Sequence, residues 1–571
     1  MYLRKNHNKK TNRTYLSIVQ GYRDKDGKTK SKTIKSIGYV DELVKSYDDP
    51  IAHFTKVAKE MDCIRLQKKE ITININLDTQ LDNTQCRRKN FGYIVFSKIY
   101  HELEIDRFLN NARRNESFEF NSEAIMRLLL YSRLLYPTSK RAAYMRKEQF
   151  FDSFDFSLGD VYSALMHFDK VSLKLQKHIH DKVKEQYNRS TELVYYDVTN
   201  YYFETDKQDE LRRKGYSKEN RKNPIVQMGL LIDKQGLPIT YKIFSGNKHD
   251  SQTLLPILKT LKRDFNIKRL VIVVDKGLNS GDNIAFNTIL GDGYIFSKSV
   301  RSASDSYKNW VLDADGYMAN GTNKIKSKIV SDAMIYITTE KNGKKVKRKE
   351  MVEQKWIVFY SEKYALRAKY KRGEIIEKAM KIIENPDKFN RSYNCGAAAF
   401  IKNLKIDKDT GEILNQKETL ILDIEKIKED EKYDGYYGLI TSELDNSDTS
   451  IIEAYKGLWR IEESFKITKS VLDTRPIFLR TEPHINAHFL ICFIALLIAR
   501  IVEMRLLGKY TIENITKTLQ KVACSHIEQN IWLFDFVSEV TDDINMAFST
   551  NFGSKTMTLS DIKSKFADMK N

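Results

Sequence analysis

Three carboxylates in this sequence occupy settings in which they could act together on one substrate. Asp197 follows the strand-like run in ELVYYDVTNYYFE, and Asp275 follows the β-branched run in RLVIVVDKGLNS. Glu462 lies in the helical pattern EAYKGLWRIEESFKITKSVLDTRP. Three oxygen donors without an ordered set of nitrogen or sulfur ligands suit hard cations, Mg²⁺ or Mn²⁺. Two such ions can activate a water or a 3′-hydroxyl and stabilise the leaving oxygen in a phosphodiester displacement.

Both aspartates are predicted to lie at strand ends. The C-terminal edges of neighbouring strands in an open sheet meet at one crevice, so acids at these positions can point into the same space. Aspartate also commonly ends strands and caps helices, which explains either residue alone without any chemistry. The shared setting of the two acids leaves both interpretations open. A further acid, Glu204, lies past the first strand and has no evident partner.

The helical pattern around Glu462 has two distinct faces. At about 100° per residue, one stripe about 80° wide holds an acid, two lysines and two aromatic residues: Tyr455, Trp459, Glu462, Lys466 and Lys469. A mostly apolar stripe lies beside it and can pack on a sheet: Leu458, Ile461, Phe465, Thr468 and Leu472. The lysines would then hold phosphates, and the rings would stack on or brace a DNA end. Glu462 and Lys466 also fit an ordinary i,i+4 ion pair, which is the simpler explanation.

Residues 192–303 are expected to position the two aspartates. Three strands are followed by helix, strand, helix and strand, in the order β-β-β-α-β-α-β. This order predicts an α/β class with a mixed sheet covered by helices, as in the ribonuclease H-like fold. Residues 304–444 interrupt that core with many short polar strands and one basic helix at 364–383. We therefore predict a ribonuclease H-like core with an inserted, mostly β domain.

Shifts in pattern along the chain define the other predicted domains. Residues 1–80 form an N-terminal region with a β-hairpin around the turn pair Asp26 and Gly27. Residues 81–190 are helical, and the basic helix start PTSKR at 137–141 suggests that this region binds DNA, although solvated helix faces explain the same charges. The core comprises residues 191–303 and 445–505 on either side of the insertion at 304–444. Residues 506–571 form a helical C-terminus that could mediate dimerisation.

The composition favours a nucleic-acid partner. The 571 residues include 96 basic and 76 acidic side chains, a net charge of +20. Such a charge favours polyanions, although a basic bias of the whole proteome is the alternative. Five scattered cysteines without a CxxC pair argue against a zinc site and fit a reducing cytosol. The first residues lack an apolar signal segment, and the apolar run at 489–499 is too short for a bilayer, so we expect a soluble intracellular protein without membrane contact.

The segment YKGLWRIEESFKITK resembles the Tyr-Arg-Glu-Lys signature of bacterial insertion-sequence transposases of the DDE superfamily. Tyr455, Glu462 and Lys469 match that signature, whereas Leu458 stands at its Arg position and Arg460 lies on another helix face. YYDVTNYYFE and VVDKGLNS resemble the two aspartate blocks of the family. GYSKENRKN, FSGNKHDSQTL, DGYYGLITS and RPIFLRTEPHINAHFLICFIALL resemble further blocks in the expected order. The similarity extends from about residue 90 to 505 and includes the N-terminal hairpin.

The resemblance implies a function and a site. Asp197, Asp275 and Glu462 would be the catalytic triad and would bind two Mg²⁺ or Mn²⁺ ions. A β-rich insertion would precede the glutamate. The protein would bind the terminal inverted repeats of a transposon as a homodimer, cleave double-stranded DNA and join the 3′-hydroxyl ends to target DNA. Its location would be the bacterial cytoplasm, with the nucleoid. A ribonuclease H-like nuclease without strand transfer and an inert DNA-binding protein are the alternatives.

Five further basic residues are candidate DNA contacts: Lys218, Arg221, Lys298, Arg301 and Arg475. The first two lie in SKENR, which is equally a solvated loop before a strand. Lys298 and Arg301 follow the fifth core strand and face the crevice only if the sheet order is the predicted one. Arg475 follows the helix of Glu462 and can bind either a phosphate or the helix carboxyl end.

Overall fold

The computed structural model describes residues 1–9, 11–23, 29–67, 86–114, 116–215, 222–321, 323–341, 344–385, 396–402, 420–527 and 530–570. The chain forms two compact units, Met1–Asn83 and Thr84–Asn571. Each unit has a hydrophobic core of its own, and the second contains all three candidate carboxylates.

The first unit is a three-stranded antiparallel sheet with two helices. Its elements are β1 (Tyr2–Asn8), β2 (Arg13–Arg23), β3 (Thr29–Tyr39), α1 (Val40–Leu43) and α2 (Pro50–Gln67). The strands pair in the order β1-β2-β3, which confirms the predicted hairpin of β2 and β3. Leu16, Ile18 and Val19 of β2 are buried, as are Phe54 and Ala58 on α2. The predicted turn at Asp26 and Gly27 lies outside the described residues.

The second unit combines a large mixed sheet with many helices. Its strands are β4 (Arg88–Asn90), β5 (Leu193–Tyr202), β6 (Ile225–Asp233), β7 (Pro238–Ser245), β8 (Val271–Val274), β9 (Gly293–Lys298), β10 (Met318–Asn320), β11 (Asn323–Lys341), β12 (Lys344–Ser361), β13 (Ile401–Lys402), β14 (Ile421–Leu422), β15 (Tyr436–Thr441), β16 (Ala523–His526), β17 (Ile531–Phe534) and β18 (Thr556–Thr558). Its helices are α3 (Ile94–Glu102), α4 (Ile105–Arg113), α5 (Ser122–Leu135), α6 (Lys140–Met145), α7 (Leu158–Tyr187), α8 (Leu254–Asp264), α9 (Gly281–Leu290), α10 (Asp305–Leu312), α11 (Glu362–Glu384), α12 (Ile424–Glu431), α13 (Asp448–Lys456), α14 (Trp459–Ser470), α15 (Glu482–Arg505), α16 (Ile512–Lys521), α17 (Glu539–Phe548) and α18 (Leu559–Asp568).

The central sheet has the strand order β10-β11-β12-β15-β9-β8-β5-β6-β7. Strands β5, β6 and β7 are antiparallel, and β8 and β9 then join in parallel to β5. The order predicted for residues 192–303 is therefore confirmed. All nine residues of β6 are buried, because the sheet is covered on both faces; this explains the continuous apolar run.

The prediction of many short strands in the insertion is confirmed for β10, β13, β14 and β15 but is wrong for β11 and β12. Strands β11 and β12 are 19 and 18 residues long and pair with each other along most of their length. β12 also pairs with β15, which pairs with β9, so these strands continue the central sheet. Their many exposed charged residues interrupt the alternation of apolar and polar positions, so the sequence pattern predicts several short strands in place of each long one. The basic helix predicted at 364–383 is confirmed by α11, and the boundaries of the predicted domains stay a prediction.

Helix α15 forms the centre of the helical layer. It packs against α3, α5, α7 and β7, and its apolar residues are buried. The run at 489–499 is buried within this helix, and the prediction that it is too short for a bilayer is wrong, because the helix has 24 residues. It has the length and composition of a membrane span, and 94% of its most apolar window is buried inside the protein. Burial, rather than length, thus accounts for this apolar run.

The C-terminal segment at residues 506–571 was predicted to be helical, but it also contains strands. Strands β16, β17 and β18 join β4 in a second antiparallel sheet of order β18-β17-β16-β4. These strands are three or four residues long, too short to give a recognisable period of two. The sheet connects residues 523–558 to β4, at the start of the region predicted to be helical. The helices α3 to α7 confirm the prediction for the rest of that region.

The basic segment PTSKR begins a helix, as predicted, but one of its cations is buried. The Ser139 hydroxyl accepts a hydrogen bond from the backbone N–H of Ala142 and caps α6. Lys140 is only 5% exposed, and its Nζ lies 3.3 Å from His488 Nδ1 on α15. Burial, together with the charge of Arg133, lowers the pKa of Lys140 to about 7. This lysine therefore connects two helices inside the protein.

Replacing Lys140 by methionine should change how stability depends on pH. In the unfolded chain a lysine has a pKa of about 10.4. Between the lowered native pKa and that value, the unfolded wild-type chain binds more protons than the native protein. The stability of the wild type therefore rises with pH in this range. We expect Lys140→Met to be more stable than wild type at about pH 6 and the gap to narrow by about pH 9. Urea midpoints of both proteins at the two pH values measure this difference in stability, and Lys174→Met, at an exposed lysine, is the control. A gap that is constant with pH would contradict the buried, titrating lysine.

Candidate active site

A cavity of about 740 Å³ is lined by all three candidate carboxylates, Asp197, Asp275 and Glu462. They come from three elements that are far apart in the sequence: a central strand, the end of the neighbouring strand and a helix. Asp275 and Glu462 are exposed, and Asp197 is half-buried. The cavity is thus open to solvent and to a substrate.

Asp197 lies within strand β5 rather than after it, so its predicted place at a strand end is wrong. The strand continues through TNYY to Tyr202, because it pairs with β6 as far as Tyr202 and Ile225. Alternation sends Tyr195 and Tyr201 into the core on one face of the sheet, and Tyr196 into the core on the other. Asp197 shares the face of Tyr195 and Tyr201. That is the face on which α14 packs.

Asp275 follows β8 directly, as predicted. Its side chain makes no capping hydrogen bond to the turn that follows, so helix capping does not explain this acid. Strands β5 and β8 are parallel, with Tyr195 opposite Val273; continuing that register by two residues places Asp197 level with Asp275. The Tyr455 hydroxyl donates a hydrogen bond of 3.2 Å to Asp275 Oδ1.

The predicted single helix around Glu462 is divided into α13 and α14. The break falls at Gly457, where a Cβ atom would lie 1.9 Å from the Tyr195 hydroxyl, so the close approach to β5 requires glycine. The apolar stripe is confirmed, since Ile461 and Phe465 are buried. Glu462 is exposed on the adjoining face and lines the cavity. Tyr455 and Trp459 also line it despite the break between their helices.

Aromatic side chains from the insertion form another wall of the cavity. Tyr437 of β15 stacks on Phe359 of β12, with ring centroids 5.5 Å apart, and lies 5.7 Å from the Tyr364 ring. Burial, with the negative charges of Asp275 and Glu462, raises the pKa of Tyr437. Its hydroxyl therefore stays protonated at neutral pH, in the cavity that both acids also line.

The sequence interpretation missed these wall residues. It also missed two others that line the cavity, Thr199 and Lys456. The block DGYYGLITS contains Tyr437 and was recognised as a unit, but no local pattern distinguishes a tyrosine that faces this cavity. The contact arises because β15 inserts between β12 and β9.

Three of the predicted basic contacts lie along or just beyond α14 and outside the cavity lining. Lys466 is exposed on the helix. The Lys469 ammonium lies 5.8 Å from the centre of the Tyr201 ring, and the Arg475 guanidinium lies 5.7 Å from that of Tyr202. These cations continue from Glu462 towards the end of β5.

Lys298 and Arg301 do not reach the carboxylate cavity, which corrects their predicted position. The Lys298 ammonium lies between the rings of Tyr307 and Trp356, at 4.7 and 4.6 Å from their centres, and burial lowers its pKa. Arg301 pairs with Asp434 at 2.8 Å. The sheet order is the predicted one, but β15 pairs with β9 and covers this edge. Lys218 and Arg221 lie outside the described residues.

Two residues clarify the departure from the Tyr-Arg-Glu-Lys pattern. Leu458, at the Arg position, is buried and lines the cavity with its apolar side chain. Arg460 lines a different cavity together with Tyr195, and its guanidinium lies 5.0 Å from the centre of the Trp459 ring. Arg460 therefore does not substitute for the missing arginine beside the acids.

The donor chemistry of the cavity fits divalent cations that prefer oxygen. Asp197, Asp275 and Glu462 are hard oxygen donors, as Mg²⁺ and Mn²⁺ require. Among the described residues, no group of three or more His, Cys, Asp or Glu side chains is drawn together closely enough to hold one ion. The three acids share a cavity and would have to come closer together to share a cation.

Comparisons with solved structures give only weak likenesses. A piggyBac transposase synaptic complex with hairpin DNA has 8% identity over 84% of each chain, with a TM-score of 0.34. A Mos1 transposase paired-end complex with left transposon end has 11% identity over 44% of this chain and 70% of that one, with a TM-score of 0.13. A Mos1 mariner paired-end complex with Mn has 13% identity over 44% and 69%, with a TM-score of 0.12.

Two protein families match the chain. Residues 3–69 match the N-terminal domain of IS1634 family transposases, and residues 190–498 match the transposase DDE domain. No curated protein matches. The DDE match covers more than half of the 571 residues and includes all three carboxylates. The chain therefore belongs to the DDE transposases, with the N-terminal domain of the IS1634 family, and its function is DNA transposition.

Proposed function

We propose that Asp197, Asp275 and Glu462 are the catalytic carboxylates with which this transposase cleaves DNA at transposon ends and joins the 3′-hydroxyl ends to target DNA. The observation that supports this assignment is their convergence on one cavity from β5, the end of β8 and α14. All three lie within the segment matched by the DDE domain. Two Mg²⁺ or Mn²⁺ ions are the proposed cofactors, because the donor set consists of carboxylates.

The residues of the cavity have separable roles in this proposal. The three carboxylates would hold the ions, which would supply Lewis-acid activation of the attacking hydroxyl and stabilisation of the leaving oxygen. Tyr455 keeps Asp275 oriented through its hydrogen bond. Trp459, which is 54% exposed, offers a ring on which a DNA end can stack.

The substrate of the proposed reaction is double-stranded DNA, at the transposon ends and at the target. Lys466 and Lys469 place positive charge further along the helix of Glu462, and Arg475 adds a cation beyond the end of that helix. They are suited to phosphates of the strand whose scissile bond occupies the cavity. The net charge of +20 supports association with this polyanion.

Finer features of the family assignment are also proposals. The strand order β7-β6-β5-β8-β9, with three antiparallel strands followed by two parallel ones, supports a ribonuclease H-like core. Tyr455, Glu462 and Lys469 support the Tyr-Arg-Glu-Lys branch, with Leu458 as a departure. Action on terminal inverted repeats by a homodimer, in the bacterial cytoplasm with the nucleoid, completes the proposal.

A cleavage and joining assay tests the reaction directly. The substrate is a labelled duplex made from DNA that flanks the reading frame and contains an inverted repeat, supplied with a plasmid target and Mg²⁺ or Mn²⁺. We expect a cut that leaves a 3′-hydroxyl, followed by covalent joining of the labelled strand to the plasmid. Cleavage without joining under either metal would support a nuclease and contradict the strand-transfer part of the proposal.

Tyr455→Phe is expected to reduce cleavage by about tenfold, because a hydrogen bond to a charged group contributes about 1.5–3 kcal/mol. The variant keeps the ring but loses the donor to Asp275. The Mg²⁺ concentration that gives half-maximal cleavage should rise, since the carboxylate is less well oriented. Tyr437→Phe is the control: among the described residues its hydroxyl has no hydrogen-bond partner. Equal metal requirements of the two variants would contradict the positioning role.

A further inference from the structure

Helix α11 carries an exposed basic face beside the proposed active site. Between Glu362 and Glu374 the helix contains five basic residues and no acidic one. Arg372 is buried, and it pairs with Asp434 at 2.6 Å and Glu431 at 3.3 Å. That side of the helix is therefore attached to the rest of the unit. The other four cations are exposed: Lys363, Arg367, Lys369 and Lys371.

Three of the exposed cations are regularly spaced. Lys363, Arg367 and Lys371 recur at every fourth residue, so they lie within one sector about 80° wide. At about 1.5 Å per residue they extend along about 12 Å of the helix axis, while one DNA strand has a phosphate about every 3.4 Å of its axis. The row can therefore accompany about three phosphates of one strand.

These cations lack the acidic partners that neutralise other surface charges of the protein. Within the described residues, Lys363, Arg367 and Lys371 form no ion pair, whereas Lys517 on α16 pairs with Glu513 at 2.7 Å. Tyr370, on the same face, is 70% exposed. An exposed ring among unpaired cations is suited to contacts with sugars and bases next to the phosphates.

The basic face begins at the carboxylate cavity. Tyr364, in the first turn of α11, lines that cavity and contacts the ring of Tyr437. The charge of Arg367 acts on the Tyr437 hydroxyl, as do those of Asp275 and Glu462. A strand with its phosphate at the three acids would thus continue past Tyr364 onto the row of cations.

We propose that Lys363, Arg367, Tyr370 and Lys371 form a DNA-binding face that holds the duplex next to the scissile phosphate. This inference rests on the proposed function insofar as Asp197, Asp275 and Glu462 mark where that phosphate lies. The three cations bind phosphates of one strand, and Tyr370 packs against the adjoining sugar or base. Contacts of this kind position the duplex without reading its sequence.

The test measures the salt dependence of DNA binding by fluorescence anisotropy without divalent metal, so that no cleavage occurs. The probe is the labelled duplex with the inverted repeat and its flank. A triple variant, K363A/R367A/K371A, should weaken binding at physiological salt by about tenfold or more. It should also reduce the slope of log K against log salt by about 2 to 3, since each lost phosphate contact contributes about 0.9.

A matched control removes three exposed lysines from the C-terminal segment: K555A/K563A/K570A. It should leave the slope close to that of the wild type. An unchanged slope in the α11 variant, or an equal change in the control, would overturn the proposal and leave an ordinary solvated basic face. Tyr370→Phe should bind like wild type, and Tyr370→Ala should bind more weakly. Circular dichroism and thermal melting should match wild type, because all the substituted side chains are exposed.

A cleavage assay of Asp275→Asn, run beside the binding measurements on the α11 variant, separates the two proposals. Loss of binding by the α11 variant together with normal cleavage by Asp275→Asn would refute the carboxylate assignment and leave the DNA-binding face standing. Loss of cleavage by Asp275→Asn with an unaltered salt slope in the α11 variant would support the carboxylate assignment and refute the DNA-binding face.

Discussion

Replacing Glu462 by glutamine is expected to abolish DNA cleavage and joining, while the same change at Glu463 leaves both reactions within a few-fold of the wild type. Glu462 lines the carboxylate cavity. Glu463, the next residue of α14, instead pairs with Arg500 at 2.9 Å. Glutamine keeps the size of the side chain and removes its charge. Loss of a cation ligand worth about 4 kcal/mol of transition-state stabilisation lowers the rate about 10³-fold.

The two variants form a matched pair because they alter one helix at adjacent positions. Single-turnover cleavage of the end duplex measures the effect, and anisotropy without metal confirms that both variants still bind DNA. Glu462→Gln should bind at least as tightly as wild type, because a negative charge near the phosphates is removed. Comparable cleavage by both variants, or a loss in Glu463→Gln as large as in Glu462→Gln, would remove Glu462 from the proposed triad.

The largest expected effect on stability comes from a buried ion pair beneath the sheet. Arg189 and Asp233 are 0% and 2% exposed in their side chains, with Nε and Oδ2 at 2.8 Å. Arg189 also donates to the Pro238 carbonyl at 2.7 Å, which connects the segment after α7 to the turn between β6 and β7. Arg189→Met leaves the Asp233 carboxylate buried without its partner. We expect a loss of about 3–5 kcal/mol in the free energy of unfolding.

The pH dependence gives that prediction a second readout. Burial raises the pKa of Asp233, and removal of the arginine charge should raise it further. A carboxyl with a raised native pKa stabilises the fold when it is protonated, and this contribution is lost as pH rises through that pKa. The destabilisation by Arg189→Met should thus be smaller at about pH 5 than at about pH 8.

Denaturant midpoints measure both effects, with the double variant Arg189→Met/Asp233→Leu as the partner in a double-mutant cycle. The double variant should recover much of the lost stability, since no lone charge remains. Lys517→Met, at an exposed ion pair, should change stability by less than about 0.5 kcal/mol. A double variant as unstable as Arg189→Met would show that packing, rather than the lone carboxylate, causes the loss.

The sequence predicted the convergence of the three acids better than their local geometry. Asp275 was placed correctly because a β-branched run followed by turn residues ends a strand for local reasons. Asp197 was misplaced because the length of β5 depends on its pairing with β6, which lies more than twenty residues later in the chain. The acid still reaches the cavity, since parallel register brings it level with Asp275.

The helix of Glu462 illustrates the same limit. Within Trp459–Ser470 the helical period predicted the faces correctly, since Glu462 and Lys466 are exposed and Ile461 and Phe465 are buried. The break at Gly457 was missed because it results from the close approach of the Tyr195 hydroxyl, a tertiary contact without a local signal. The position of Lys298 was wrong for a similar reason: β15 joins the edge of β9 from more than a hundred residues away.

The most direct test of the metal-binding role is a change of metal preference in Asp275→Cys. A thiolate binds Mg²⁺ poorly but accepts softer ions such as Mn²⁺. The proposed site predicts that this variant is inactive with Mg²⁺ and regains cleavage and joining with Mn²⁺, whereas Asp275→Ala stays inactive with both. Equal activity of Asp275→Cys in the two metals, or equal recovery of Asp275→Ala in Mn²⁺, would contradict Asp275 as a metal ligand.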